Sequence, residues 1–271
     1  MPELPEVETT RRGIEPHLVG ARVRAITVRQ KQLRWPVPDT LVENIVGAKI
    51  LRVARRAKYL LIETSHGTLI IHLGMSGSLR IIDTTLAPEV HDHIDLHFGA
   101  KRILRYTDPR RFGAWLWCEQ DATQHPLLAT LGPEPLGEDF SGEYLFRQSR
   151  GRKLAIKAFI MDSHTVAGVG NIYANEALFT AGIHPARAAG RISRARYLRL
   201  ADAVREVLAE AIRQGGTTLR DFLNSDGKPG YFQQSLRVYG RTSQPCLQCG
   251  AAIRETRSGQ RSTFYCAHCQ R

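Results

Sequence analysis

The sequence predicts an α+β protein in which short strands come first, helices follow, and a cysteine-rich hairpin closes the chain. Three observations carry that reading. Runs of β character crowd residues 21–119, apolar residues recur at helical spacing beyond residue 142, and four of the five cysteines form two Cys-x-x-Cys pairs near the carboxyl end.

The first element is a helix. Pro5 suits a first helical turn, Val7, Arg11, Ile14 and Leu18 recur at helical spacing, and Glu6 and Glu8 sit where the positive helix end favours acids. Strands are predicted after it over 21–29, 49–53, 58–64, 67–73, 78–82, 93–98, 102–106 and 113–119. In 93–98, Ile94, Leu96 and Phe98 alternate with Asp95 and His97, the pattern of a half-buried strand. Many short strands without helices between them form a sandwich or a barrel. Cys118 ends the apolar run Trp-Leu-Trp-Cys and is expected to act as a small core hydrophobe. Residues 126–142 carry Pro126, Gly132, Pro133, Pro135, Gly137 and Gly142 and read as a linker between domains. Helices are predicted near 142–149, 153–162 and 171–180, then a long one from Ser193. In that last helix Tyr197, Ala201, Val204, Leu208 and Ala211 form an apolar stripe, widened by Leu200, Val207 and Ile212. Ser193 can cap its start, and Gly215-Gly216 stops it.

At 271 residues, with 42% hydrophobic and 24% charged content, the chain is long enough for two domains and is neither disordered nor fibrous. No internal repeat points to a solenoid. No stretch approaches the roughly 18 to 20 apolar residues of a membrane span. The start lacks the basic and apolar regions of a secretory signal, so a cytoplasmic protein with no membrane partner is expected. Thirty-eight Lys and Arg against 26 Asp and Glu leave a net charge of +12. That excess favours a polyanion partner, because neutralising phosphates releases condensed counterions.

Cys246 and Cys249 are separated by 16 residues from Cys266 and Cys269. A two-residue gap lets both thiolates of a knuckle reach one tetrahedral ion, and 16 residues suffice for a hairpin turning at Ser258-Gly259-Gln260. Four thiolates leave no position open for water, so the spacing predicts one structural zinc ion. A redox dithiol pair lacks the βαβ context it needs. His268 lies inside the second knuckle and is not expected to replace a cysteine. Arg254, Arg257, Arg261 and Arg271 make the hairpin basic, which suits a nucleic-acid backbone, although such ribbons also serve as protein–protein modules.

Chain starts usually fray, yet this one opens on Pro2-Glu3. A small second residue permits removal of the initiator methionine, which would leave Pro2 a free secondary amine. An α-amine of pKa about 8 is roughly a tenth deprotonated at neutral pH, far more than an unshifted lysine. Such an amine attacks electrophilic carbon to give an iminium ion, and Glu3 beside it can move protons. The plainer alternative is a stiff, proline-rich terminus with a helix-capping glutamate.

Met-Pro-Glu-Leu-Pro-Glu-Val-Glu-Thr at 1–9, together with the four-cysteine end, resembles bacterial formamidopyrimidine-DNA glycosylases. Further stretches similar to that family are Arg-Arg-Ala-Lys-Tyr-Leu at 55–60, His-Leu-Gly-Met-Ser-Gly at 72–77 and Asp-Pro-Arg-Arg-Phe-Gly at 108–113. So are Gly-Val-Gly-Asn-Ile-Tyr at 168–173, Asp-Gly-Lys-Pro-Gly-Tyr at 226–231 and Gln-Arg-Ser-Thr-Phe-Tyr-Cys at 260–266. The resemblance implies an amino-terminal β-sandwich with flanking helices over 1–130, a linker at 131–141, a helical helix-two-turn-helix domain over 142–236 and a zinc finger over 237–271. It implies a monomer that binds damaged double-stranded DNA, excises 8-oxoguanine and formamidopyrimidines, and cuts the strand by successive β- and δ-elimination.

Carried over residue by residue, Pro2 resembles the family nucleophile and Glu3 its acid/base. Lys58 resembles the lysine at the active-site phosphate, and Arg261 the arginine that grips phosphates during elimination. A damaged base must be flipped out of the stack and its place filled. Met75, Arg110 and Phe112 resemble the filling residues, a thioether and a ring to wedge between bases and a guanidinium to bond the orphaned partner. Asn171, Tyr239 and His91 resemble backbone contacts, and Lys157 is grouped with them. Arg152 falls where the family has a basic residue, within the cluster Arg150, Arg152 and Lys153. The segment 217–234 resembles the loop that closes over the flipped base. Endonuclease VIII, of the same superfamily, shares Pro2, Glu3, Lys58 and the zinc finger but prefers oxidised pyrimidines; Leu4 and Arg110-Arg111-Phe112 favour the purine enzyme.

Overall fold

The computed structural model describes residues 2–217 and 235–271. These form two compact units, one of residues up to Thr130 with 214–217, the other of Leu131–Arg213 with 235–271. Of the loop expected over 217–234, only Thr217 lies within the described residues.

The first unit opens on helix α1 (Leu4–Leu18), whose Leu4, Val7, Ile14 and Leu18 are fully buried. Arg11, at the same helical spacing, instead pairs at the rim with Glu8 and Glu15 and donates to the Val53 carbonyl. Strand β1 (Val23–Val28) and the short helix α2 (Leu41–Ile45) follow. Then come β2 (Ile50–Arg56), β3 (Tyr59–Thr64), β4 (Gly67–His72), β5 (Ser78–Asp83), β6 (Asp92–Phe98), β7 (Arg102–Thr107) and β8 (Ala114–Cys118). They pair antiparallel into two four-stranded sheets, ordered β1-β6-β7-β5 and β2-β3-β4-β8. Two separate sheets over one shared core make a sandwich and rule out the barrel alternative. Val23, Ile94, Leu96 and Leu104 come to that core from one sheet, Val53, Ile62, Ile71 and Trp115 from the other, and Val7 and Ile14 from α1.

Three features depart from the sequence reading. Helix α2 has no counterpart in it, because a single turn with two core residues, Leu41 and Ile45, is too short to show a period. Asp95 does not face water. It is buried, receives both Nε (2.8 Å) and Nη2 (2.9 Å) of Arg105, and takes a further bond from Arg29. Burial alone would raise the Asp95 pKa, but the two guanidinium groups overcome it and hold the carboxyl below the usual range. Arg105 also donates to the Ala87 carbonyl at 3.0 Å, which fastens the segment before β6 over this face. Cys118, finally, is only half-buried, because it ends an edge strand, where its thiol donates to the Gln120 carbonyl.

The expected linker begins with a one-turn helix, α3 (Pro126–Ala129). In the second unit α4 (Gly142–Ser149), α5 (Ile156–Met161), α6 (Asn171–Thr180) and α7 (Arg194–Arg213) fall where helices were expected. All eight residues of the α7 stripe are buried, and Gly215 and Gly216 beyond it both have left-handed φ, 77° and 82°. Strands β9 (Arg254–Ser258) and β10 (Arg261–Tyr265) form the cysteine hairpin. Its turn residues Gly259 and Gln260 have φ of 54° and 65°, as a type I′ turn requires. Among the described residues no helix is long and apolar enough to cross a membrane.

Candidate active site and nucleic-acid interface

The chain start is fixed. Pro2 and every residue through Val7 are buried. The backbone N–H of Glu3 donates to the Glu6 carboxylate at 2.8 Å, the back-bond of a capping box, and Glu3 is only 2% exposed. The other Glu6 oxygen accepts the Thr217 N–H at 2.8 Å. One buried glutamate thus ties the Pro2-Glu3 start to residue 217.

Lys58 occupies the two-residue turn between β2 and β3. Its neighbour Ala57 has φ 53°, a left-handed conformation that costs an L-residue with a Cβ on the order of 1 kcal/mol. The turn is held by Arg55, whose Nη1 donates to the Ala57 carbonyl at 2.8 Å while its Nε reaches Glu8 of α1 at 3.2 Å. Across the hairpin from Tyr59, at a ring distance of 4.9 Å, lies His72. Burial, then the charges of Lys58 and Arg34, drive its pKa down to about 4. The neutral ring accepts the Gly74 N–H on Nδ1 at 3.0 Å.

The loops after β4 and β7 carry Met75, Arg110 and Phe112. Met75 is 37% exposed and Phe112 42%, and the Arg110 guanidinium lies 4.8 Å over the Phe112 ring. Large apolar side chains left in water beside arginines are the informative exception to burial. Gly74 has φ 69°, and a Cβ there would run into the Phe112 carbonyl carbon, so glycine lets the two loops touch. Both loops are fastened to the fully buried Asp108. Its carboxylate accepts Ser76 Oγ at 2.8 Å, Tyr106 OH at 2.9 Å, the Gly113 N–H at 2.9 Å and the Arg110 N–H at 3.3 Å. His91, exposed, offers its carbonyl to the Asp108 N–H at 3.0 Å. Arg34, Arg110, Arg111 and Phe112 line an open groove of about 530 Å³.

In the second unit Asn171 begins α6, and its Nδ2 donates to the Ser262 carbonyl of β10 at 3.1 Å. Tyr239 packs its ring 4.9 Å from Phe264. The N–H groups of Arg237, Val238 and Tyr239 all donate to the buried Glu176 carboxylate, at 2.8, 3.0 and 2.8 Å. Of the basic cluster, Arg150 lies over the Phe146 ring and donates to Phe146, Ser149 and Ile192, so it is a structural residue, whereas Arg152 and Lys153 are exposed. Lys157 departs from its expected place on the surface. It is 4% exposed and donates to the Ser262 carbonyl (2.8 Å) and Thr263 Oγ1 (2.7 Å), mooring β10 to α5. Arg261 is exposed at the hairpin tip, beside a groove that Lys157 and Met161 also line.

The sulfurs of Cys246, Cys249, Cys266 and Cys269 all lie within 4.8 Å of one another, with Cys246–Cys269 at 3.9 Å and Cys249–Cys266 at 3.5 Å. Zn–S bonds of about 2.3 Å in a tetrahedron set sulfurs roughly 3.8 Å apart, so the site fits one structural zinc ion. His268 is exposed and outside the cluster.

The formamidopyrimidine-DNA glycosylase N-terminal domain matches residues 1–115, the corresponding H2TH domain 131–223, and a zinc finger found in FPG and IleRS 243–271. Formamidopyrimidine-DNA glycosylases of Stutzerimonas stutzeri and Thioalkalivibrio sulfidiphilus are 61% and 60% identical over all 271 residues, covering the whole of each chain. This chain belongs to the formamidopyrimidine-DNA glycosylase family. Among solved structures, the MutM (Fpg) protein of Thermus thermophilus is 40% identical with a TM-score of 0.89, over 99% of this chain and 98% of that one. The Lactococcus lactis Fpg in complex with abasic-site DNA is 35% identical with a TM-score of 0.93, over 99% of both.

In this family member the sequence reading gave no role to the buried or half-buried polar groups that hold the named residues: Arg55, His72 and Asp108 in the first unit, Asn175 and Glu176 in the second. A signal was present for Glu176, since an acid on a helix otherwise buried all round must find donors. Asp108 carried one too, as an Asp-Pro pair between strands.

Proposed function

We propose that this chain excises oxidised purines, 8-oxoguanine and formamidopyrimidines, from double-stranded DNA and cuts the strand at the resulting abasic site. With Met1 removed, the lone pair of the Pro2 nitrogen attacks C1′ of the damaged nucleotide and the base departs with the electrons of the N-glycosidic bond. The Pro2 nitrogen gives up its proton to the departing base, Glu3 protonates the sugar ring oxygen, the ring opens and a Pro2 iminium ion forms. The cation acidifies C2′; loss of that proton expels the 3′-phosphate, and a second elimination expels the 5′-phosphate. Lys58 holds the phosphate of the damaged nucleotide and moves protons in the first elimination, while Arg261 grips phosphate in the second. Met75 and Phe112 fill the emptied stack and Arg110 bonds the orphaned base. His91, Arg152, Asn171 and Tyr239 contact the DNA backbone, and the zinc ion takes no part in the chemistry.

The observation that carries this reading is the immobilised Pro2-Glu3 start, buried where chain ends ordinarily fray. We assign the catalytic sandwich to 1–130, a linker to 131–141, the helix-two-turn-helix domain to 142–236 and the zinc finger to 237–271. We also assign a monomer acting in the cytoplasm, at the nucleoid DNA. Borohydride trapping on an 8-oxoguanine duplex tests the chemistry: the processed chain is expected to cross-link and a chain retaining Met1 is not. Equal trapping by both would remove Pro2 from the mechanism. In competition with a thymine glycol duplex the 8-oxoguanine duplex should be cut first, and the reverse order would make the chain an endonuclease VIII.

A further inference from the structure

Asp108 is fully buried, and a buried carboxylate is tolerated only when donors answer it. Among the described residues no ion pair does so. Four hydrogen bonds take that part, and their origin is specific. Ser76 follows Met75, the Arg110 N–H belongs to the residue assigned to the orphaned base, and Gly113 follows Phe112. The fourth donor, Tyr106, is a core residue packed on Trp115, which anchors the hub to the sandwich. The Asp108 backbone extends the set: its N–H reaches the His91 carbonyl, and its carbonyl accepts the Arg111 N–H at 3.1 Å and His93 Nε2 at 2.8 Å. Met75 and Phe112 are 37% and 42% exposed, so packing of these side chains holds their loops only in part, and the polar anchors add to it.

We infer that Asp108 is a positioning residue that sets Met75, Arg110 and Phe112 in base-displacing geometry before DNA arrives. It acts through those three and touches neither base nor sugar. The inference rests on the function proposed above, with one added consequence. Displacing a stacked base depends on Asp108 more than amine chemistry at a preformed abasic site does, because there no base has to be driven out of the stack.

Asp108→Asn keeps the size of the side chain but turns one acceptor oxygen into a donor facing donors. Three readouts separate the steps: single-turnover excision of 8-oxoguanine from duplex, cleavage of a preformed abasic site, and fluorescence of 2-aminopurine beside the lesion. Excision should fall about tenfold or more, the size of effect a lost buried acceptor produces. The fluorescence rise should slow in proportion, while abasic cleavage stays within about twofold of wild type. In a Phe112→Ala background the same substitution should cost less than it does in wild type, because one of the three residues it positions is gone. An equal fall in both reactions, or full additivity with Phe112→Ala, overturns the inference. Should Asp108→Asn fail to fold, Ser76→Ala removes the 2.8 Å bond to Asp108 and the 3.3 Å bond from the Arg110 N–H and must show the same split at smaller amplitude; an unsplit loss overturns the inference equally. The wild-type lane keeps the two claims apart: absence of 8-oxoguanine excision there sinks the proposed function, whereas a failure of Asp108 appears only in the variants.

Discussion

His72 hangs the Met75 loop from the end of β4 through its bond from the Gly74 N–H, and it does so as a neutral ring. The unfolded chain titrates its histidines near pH 6.5. With the folded value depressed to about 4, the unfolded state takes up the proton first, so stability conferred above pH 6.5 is lost as pH falls through 4. The ring is half-buried, which limits the loss to on the order of 2 kcal/mol. His125 and His184 are shifted down as well, so the measurement is a difference. In thermal melts without DNA, His72→Gln should lose less stability than wild type between pH 7 and 4; equal losses would place the acid sensitivity elsewhere. At this scale the sequence showed the motifs and not the bonds. His-Leu-Gly-Met-Ser-Gly and Asp-Pro-Arg-Arg-Phe-Gly were legible as strings. That Ser76 of one donates to Asp108 of the other depends on a strand pairing no local pattern encodes.

At the scale of elements, α6 moors both β10 and the segment 237–239. Asn171 donates to the Ser262 carbonyl, Asn175 Oδ1 accepts the Phe264 N–H at 2.8 Å, and Glu176 gathers three N–H groups from residues 237–239. Replacing Glu176 by Gln leaves one acceptor for three donors and should cost about 1 to 3 kcal/mol, read as a lower denaturation midpoint at unchanged slope. A variant as stable as wild type would mean that water satisfies these groups. Strand positions were legible because period two survives in Ile94, Leu96 and Phe98, and α7 because its stripe spans about four turns. Asp95 was misjudged because a strand pattern cannot tell a solvated face from one sealed by Arg105 and the segment before β6.

For the molecule as a whole, the zinc hairpin and the sandwich belong to different units, and all three tryptophans, Trp35, Trp115 and Trp117, lie in the sandwich unit. Chelation should abolish DNA binding while tryptophan emission stays that of the folded sandwich, with zinc restoring binding; a red shift on chelation would mean that metal loss also disturbs the sandwich. The charge of +12 and the two Cys-x-x-Cys pairs gave the partner class and the metal from sequence alone, because the first needs only composition and the second only local spacing. The moorings of β10 to Lys157, Asn171 and Asn175 do not pass through the metal. Loss of the ion should therefore leave that strand docked, which would make recharging a local event. In a cell short of zinc, repair capacity would then be held in reserve, returning as fast as metal is supplied.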